Sequence, residues 1–179
     1  MRIREAQPGD ARAIAEVHVL AWQQAYADML PADFLAALRV QDREAAWAES
    51  LTRGTPSLRV AEHGSRIVGF SAFGPCRDRG AAPTDHELWA LYVLREHWST
   101  GCGRRLWLAS RSAMVERHAT RISLWVLVGN ERATRFYESA GFRAQPESLQ
   151  AFTLGSTPVT EMRYEMDLVT GASPTPEAD

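Results

Sequence analysis

The residue types best suited to chemistry lie in one stretch near the middle of the chain, from Glu87 to Leu106. Its sequence, ELWALYVLREHWSTGCGRRL, reads as an apolar strand, a polar bend and two glycines that open a helix. Glycine lets a backbone approach a ligand closely, and the N–H groups at a helix N-terminus attract anions. Arg104 and Arg105 add positive charge at the same place. This order predicts a phosphate-binding site, for which a pyrophosphate is the natural ligand.

Two common phosphate-binding motifs do not match the bend. A P-loop requires lysine and then serine or threonine after its last glycine, but Gly103 is followed by two arginines. A dinucleotide fingerprint requires a third glycine where Leu106 stands, and it belongs in the first strand–helix unit of a chain. A pair of glycines is also typical of a simple tight turn, so the surrounding sequence must decide between these interpretations.

Hydrophobic periodicity predicts strands that alternate with helices around the bend. We predict strands at residues 2–7, 58–62, 66–74, 86–94 and 121–128, a later pair that includes Phe142, Phe152 and Leu154, and a last strand at 159–168. Helices are predicted after an Asp10 N-cap, from Pro31, from Gln41 or Asp42, at 103–118 and at 130–140. This alternation indicates an α/β fold, and the hairpin at 58–74 makes its sheet mixed. The polar segment 75–85 is either a pocket-forming loop or an ordinary surface loop.

The composition argues against several classes of protein. The formal net charge is −2, and no long basic run occurs, which speaks against nucleic-acid binding. No stretch approaches the ~20 apolar residues of a membrane-spanning helix. The N-terminal residues MRIREAQPGD lack the apolar core of a signal peptide. We therefore expect a cytoplasmic protein that contacts no membrane, with one domain at residues 1–169 and a disordered tail at 170–179.

Three motifs around the bend resemble one known family. They are LYV at 91–93, W-x-x-G-x-G-R-x-L at 98–106 and N-x-x-A-x-x-F-Y-E-x-x-G-F at 130–142. In this order and spacing they resemble the GNAT superfamily of acetyl-CoA-dependent N-acetyltransferases. The N-terminal run AWQQAYADMLPADFL resembles a subset of that family, so the resemblance extends over residues 3–168. One departure is Trp98-Ser99, where the family often has Gln or Arg followed by Gly.

The resemblance implies a fold and an acyl donor. The GNAT fold has a mixed central sheet of about seven strands, flanked by helices, in which two parallel strands splay apart. Here these strands would be 86–94 and 121–128, with acetyl-CoA bound between them as the acyl-donor substrate. Backbone groups of Leu91 and Val93 would hold the pantetheine arm and the acetyl carbonyl, and amides of 99–104 would hold the pyrophosphate. The residues implied in cofactor binding are Leu91, Tyr92, Val93, Trp98, Ser99, Thr100, Gly101, Cys102, Gly103, Arg104 and Asn130.

Acetyl transfer to an amine needs an acid for the leaving thiolate and a base for the amine proton. By its match to the family motif, Tyr137 is implied as the acid, with plain helix packing as the alternative. Glu87, at the start of the apolar strand, is implied as the base, unless it is only the exposed first residue of that strand. His86 is a second candidate base. Adjacent strand residues point to opposite faces, so only one of these two can face the cleft.

The acceptor side is less well defined by the sequence. Trp22, Tyr26, Trp89 and Trp125 are candidates to line the acceptor pocket, although their spacing is also typical of core packing. We predict direct transfer to a primary amine in a ternary complex, with a small-molecule acceptor favoured over a protein and a homodimer as in many family members. The alternative is a non-catalytic acyl-CoA-binding or sensor module. The histidines lack metal-ligand spacing, so no metal is predicted. For Asn130 the structural alternative to cofactor contact is an ordinary helix N-cap, and it could serve as both.

Overall fold

Seven strands form one sheet in the computed structural model, which describes residues 1–168. The strands are β1 (Arg2–Glu5), β2 (Ser57–His63), β3 (Arg66–Pro75), β4 (Asp85–Val93), β5 (Arg121–Leu127), β6 (Arg143–Leu154) and β7 (Thr157–Asp167). The helices are α1 (Ala11–Ala25), α2 (Ala32–Ala36), α3 (Val40–Arg53), α4 (Cys102–Glu116) and α5 (Glu131–Ser139), with 3-10 turns at Pro8–Asp10 and Arg95–His97. The predicted tail, residues 170–179, lies outside the described residues.

The sheet has the strand order β1-β2-β3-β4-β5-β7-β6, and each neighbouring pair is antiparallel except β4 and β5. This topology confirms the predicted mixed sheet with a single parallel pair flanked by helices. The predicted limits of β2, β3, β4 and β5 differ from the observed ones by no more than one residue at either end. The helix predicted from Pro31 is short, because α2 ends at Ala36.

Helices cover both faces of the sheet. Phe70 of β3 and Tyr92 of β4 are paired in register, and the rings of both pack against His18 of α1. The next residue of β3, Ser71, points to the other face, where its hydroxyl lies 2.8 Å from the hydroxyl of Ser110 in α4. Helices α1 and α3 therefore cover one face, and α4 covers the other.

The parallel strands β4 and β5 separate soon after they meet. They pair only over Asp85–Glu87 and Arg121–Ser123, although both strands continue beyond these residues. A bulge in the β3–β4 ladder leaves Trp89 out of register with β3. The backbone groups of β4 that point away from β3 beyond Glu87 therefore face a gap instead of a neighbouring strand.

Asp10 occupies the N-cap position of the first helix, as predicted, but its side chain does not act as the cap. It makes no capping hydrogen bond to α1. Its carboxylate accepts hydrogen bonds from the backbone N–H of Gln7 and from the guanidinium of Arg4, which also binds Glu62. The bond to Arg4 lowers the pKa of Asp10. A guanidinium on β1 thus holds the carboxylate in place of the helix amides, because charge-assisted hydrogen bonds are the stronger kind.

His18 is a buried neutral link between three elements. Its side chain is 8% exposed, its ring stacks on Tyr92 with 5.2 Å between centroids, and its Nδ1 accepts a hydrogen bond of 3.1 Å from Trp47 Nε1. Burial lowers the pKa of His18 to about 3. The imidazole therefore joins α1, α3 and β4 in its uncharged form.

The stability of the protein should fall as the pH drops below about 6.5, in part because of His18. The unfolded chain binds a proton at this residue near its ordinary pKa, whereas the folded protein resists protonation until about pH 3. Between these values, protonation favours the unfolded state. We expect the free energy of unfolding in urea to decline across this window, and less steeply in His18→Gln. An equally steep decline in that variant would contradict the assignment.

Gly69 should be intolerant of a side chain because β3, β4 and α4 meet there. A Cβ atom at Gly69 would lie 3.0 Å from the Tyr92 carbonyl oxygen, 3.1 Å from Val93 and 3.2 Å from Leu106. We expect Gly69→Ala to lower the free energy of unfolding by about 1–3 kcal/mol, as overpacking of a core does. Gly9→Ala is the control, since a Cβ at Gly9 has no neighbour within 4 Å among the described residues. Equal stability of the two variants in urea would refute the steric argument.

Candidate active site

The gap between β4 and β5 forms a cleft with a volume of about 510 Å³. Its closed end is the point where the strands last pair, at Glu87 and Ser123, and its open end lies between the N-termini of α4 and α5. Most of the residues predicted to bind a cofactor line this cleft. They are Leu91, Tyr92, Val93, Trp98, Ser99, Gly101, Gly103, Arg104 and Asn130.

The backbone of β4 presents hydrogen-bonding groups to the cleft. The N–H of Leu94 donates to Val68 in β3, so the backbone polar groups of Leu94 point toward β3. In an antiparallel ladder the backbone N–H and C=O groups of successive residues point to opposite sides. Those of Val93 and Leu91 therefore point into the cleft. The carbonyl of Val93 already accepts a hydrogen bond of 2.8 Å from the indole N–H of Trp98. The remaining polar groups of Leu91 and Val93 are placed where a ligand in the gap could bind them.

The N-terminus of α4 opens onto the cleft without a side-chain cap. Gly101 is the N-cap residue, with a left-handed φ of +83° and no capping side-chain hydrogen bond. Ser99 adopts a φ of +59°, a conformation that glycine accepts more readily than serine. The first amides of a helix have no acceptor within the helix, and the helix dipole makes this end attractive to anions. The bend therefore has the free amides that the predicted phosphate site requires, and phosphate binding there stays a prediction.

Thr100 and Cys102 are outside the set of cleft-lining residues. The hydroxyl of Thr100 donates to the carbonyl of His97 at 2.8 Å and so braces the bend. The side chain of Cys102 is 1% exposed and packs in the core, and burial raises the pKa of its thiol to about 11. Both residues can contribute to anion binding only through their backbone amides.

Asn130 caps α5, which is the structural role considered for it as an alternative. Its side-chain oxygen accepts a hydrogen bond of 3.1 Å from the amide of Ala133. Asn130 also lines the cleft, so its predicted contact with a cofactor stays a prediction. Helix α5 follows β5 after a short turn and runs back along the cleft. Tyr137 is seven residues beyond Asn130, about 10 Å closer to the closed end.

Tyr137 contributes a buried hydroxyl to the cleft wall, as Tyr26 and Tyr92 do. Its ring packs edge-on against Phe136 and Phe142, with centroids 5.1 Å and 5.7 Å away. Burial raises the pKa of its phenol, and the neighbouring Tyr92 raises it further. The hydroxyl therefore keeps its proton at neutral pH, which is the form that a proton donor must have.

Two of the predicted pocket aromatics lie toward the closed end. Trp89 and Trp125 are each two residues beyond the last β4–β5 pair, and both line the cleft. Tyr26 also lines the cleft, but it packs beside Tyr92 and Leu127, farther along the strands. Trp22 is not among the lining residues; it packs behind Tyr26 with 5.1 Å between ring centroids. Three of the four predicted pocket aromatics therefore reach the cleft, and the fourth supports one of them.

Glu87 is not placed as its predicted role as a base would require. Its side chain is 1% exposed and does not line the cleft. The carboxylate accepts hydrogen bonds from the backbone N–H of Arg77 at 3.0 Å and from both Nε and Nη2 of the same residue. The guanidinium in turn lies over the ring of Trp89, 4.5 Å from its centroid. These contacts engage the carboxylate fully and do not support a role as base.

His86 is no better placed as the alternative base. It points to the opposite face of β4 from Glu87 and is outside the cleft-lining residues. Burial lowers the pKa of His86, and the charge of Arg117 lowers it further. Within residues 1–168 its Nδ1 is buried without a hydrogen-bond partner. The imidazole is therefore a neutral part of the structure rather than a cleft residue.

Two positively charged side chains of the cleft were missed by the sequence reasoning. Arg132 and Arg135 of α5 line its open end beside Arg104 of α4. The guanidinium of Arg132 lies 3.7 Å from the ring centroid of Trp98, so a contact spans the open end from α5 to the bend. Their spacing of three residues, directly after the Asn130 cap, was the signal that could have placed both on one face of α5.

Within residues 1–168, no group of three or more His, Cys, Asp and Glu side chains is arranged to hold a metal ion. No described helix is both long and apolar enough to cross a membrane.

Comparisons with known proteins agree with this geometry. A family model described as acetyltransferase (GNAT) family matches residues 18–142. The chain is 32% identical over 128 residues to the uncharacterized N-acetyltransferase YuaI of Bacillus subtilis, and the match covers 72% of each protein.

Solved structures share the fold at low sequence identity. PaiA N-acetyltransferase from Thermoplasma acidophilum, in complex with coenzyme A, matches with a TM-score of 0.76 and 19% identity over 93% of this chain and 98% of that one. The structure of yncA from Salmonella typhimurium, with its cofactor acetyl-CoA, matches with a TM-score of 0.73 and 20% identity over 98% of both chains. The matched motifs, the splayed parallel strands and the family model lead to one conclusion. The chain belongs to the acetyltransferase (GNAT) family and is an acetyl-CoA-dependent N-acetyltransferase.

Proposed function

We propose that the protein transfers the acetyl group of acetyl-CoA directly to a primary amine of a small molecule, within a ternary complex. The observation that carries this proposal is the cleft itself. It joins an uncapped helix N-terminus at the open end to a buried, protonated tyrosine farther in, along an edge of β4 that no strand covers. An elongated ligand with phosphates at one end and a thioester at the other fits this order of groups.

The donor would lie along β4. The strand from Leu88 to Val93 spans about 17 Å at the usual rise per residue, which accommodates an extended pantetheine arm. Phosphates would bind the amides of residues 99–104 and the charge of Arg104, and the thioester would then lie near Tyr137. The relatives of this fold that hold coenzyme A or acetyl-CoA support this choice of donor.

The reaction follows from these positions. The amine nitrogen attacks the thioester carbon, and the negative charge that develops on the acetyl oxygen is stabilised by backbone N–H groups of β4 that face the cleft. The carbon–sulfur bond then breaks, and Tyr137 donates its proton to the leaving thiolate. Since Arg77 binds the carboxylate of Glu87, we assign Glu87 a structural role, and the proton of the amine passes to solvent.

The acceptor would enter the cleft on the side that α1 and α2 cover. Tyr26, Leu30 and Leu35 form a small apolar cluster there that packs against Tyr92 and against Leu127 of β5. This cover narrows access to the cleft from the side of α1 and α2, which supports a small-molecule acceptor over a folded protein. The cytoplasmic location and the homodimer stay predictions.

Gly103→Val should weaken the binding of coenzyme A at least tenfold, about 1.4 kcal/mol, by filling the cleft beside the N-terminus of α4. A Cβ at this position would lie 3.5 Å from Phe136 and 3.7 Å from Leu91, so the branched methyl groups must project into the space between them. The measurement is calorimetric titration with coenzyme A. Gly103→Ala is the matched control, because its single Cβ makes only ordinary contacts. Undiminished binding by the valine variant would contradict the proposed path of the ligand.

Tyr137→Phe should lower kcat by about 10²- to 10⁴-fold, the usual contribution of a general acid, and leave the Kd for coenzyme A unchanged. Release of free thiol from acetyl-CoA, followed against a panel of amines, measures the loss. Tyr164→Phe is the control, since Tyr164 is equally buried in the core but does not line the cleft.

Two outcomes of this experiment would oppose the proposal. Equal activity of Tyr137→Phe and wild type would remove Tyr137 from the mechanism. Binding of coenzyme A without turnover of any amine would favour the alternative, a non-catalytic acyl-CoA-binding module.

A further inference from the structure

Arg132 is held in a defined position at the open end of the cleft. Its guanidinium stacks on the ring of Trp98 at 3.7 Å, and Trp98 is itself fixed by the hydrogen bond from its indole N–H to the Val93 carbonyl. The contact therefore links the first turn of α5 to the end of β4. Arg135, one turn further along α5, is occupied differently, by an ion pair of 3.1 Å with Glu131.

Stacking prepares the guanidinium for a phosphate. A guanidinium that stacks on an aromatic ring uses its flat face, and its N–H donors point outward from the edge. These donors match two oxygens of one phosphate group. Because the side chain is already ordered on Trp98, less conformational freedom is lost when a ligand binds.

The direction of the proposed donor decides which phosphate reaches Arg132. The thioester lies deep in the cleft, and the pyrophosphate lies on the amides of residues 99–104. The adenosine end of coenzyme A must therefore lie at the open end, where Arg132 is placed. The 3′-phosphate of that ribose is a monoester, which carries a charge of about −1.5 to −2 at pH 7 by analogy with other phosphate monoesters.

We propose that Arg132, ordered by Trp98, binds the ribose 3′-phosphate of coenzyme A and so makes the protein selective for coenzyme A over its 3′-dephospho form. This inference rests on the proposed function, because it assumes coenzyme A in the cleft. It assigns Arg132 a role in recognising the donor that is separate from the pyrophosphate site on α4.

The test compares the Kd values of coenzyme A and 3′-dephospho-coenzyme A by calorimetry, with no acceptor and no turnover. Wild type should bind coenzyme A about tenfold more tightly, the effect of one charge-assisted contact. Arg132→Ala should remove this preference by weakening only the binding of coenzyme A. Arg135→Ala is the matched control on the same helix, and it should retain the preference. Thermal melting checks that each variant is folded.

The other outcomes are equally decisive. Equal weakening of both ligands in Arg132→Ala would overturn the inference, because Arg132 would then act on the pyrophosphate or on the fold. Equal binding of the two ligands by wild type would overturn it as well, while leaving the proposed function intact. Binding of neither ligand by wild type would refute the proposed function together with the inference.

Discussion

The site depends on the separation of two parallel strands. β4 and β5 pair over three residues each and then diverge, so that one edge of β4 is left without a partner in the middle of the sheet. Polar backbone groups in such a place are costly unless something binds them. The indole N–H of Trp98 binds one of them, the Val93 carbonyl, and the others remain for a ligand. An extended, strand-like ligand is what this unsatisfied edge can hold best.

The separation also makes one end of the cleft positively charged and leaves the other end uncharged. Both strands run toward the open end, and the helix that follows each one begins there, so two positive helix ends and three arginines meet at the same place. The other end holds phenol and indole rings, and burial keeps the proton on Tyr137. Anionic groups are thus stabilised at one end, and an uncharged thioester can lie at the other. Both ends of the cleft therefore follow from the parallel pairing of β4 and β5.

The sequence was sufficient for the sheet and for the glycine bend before α4, because both depend on local signals. Strand periodicity located β2 to β5 nearly residue by residue, and the glycines at 101 and 103 marked the start of α4. It failed where a charged side chain had several possible partners. Asp10 binds Arg4 instead of a helix end, and Arg132 stacks on Trp98, far away along the chain. Such choices depend on tertiary distances that no local spacing encodes.

Glu87 shows why the chemistry of a residue type is not enough to assign a catalytic role. A carboxylate at the start of a buried strand needs a partner, and either a substrate amine or a neighbouring cation could supply it. Here Arg77 does so with its backbone and its side chain, and the same guanidinium rests on Trp89. The guanidinium is half exposed, but the carboxylate is fully buried, so loss of Arg77 would leave a buried charge without its cation, which is costly. The pair thus fixes the loop between β3 and β4 against the point where the strands divide. The ion pair thereby holds the closed end of the cleft in place, at the residues where β4 and β5 last pair.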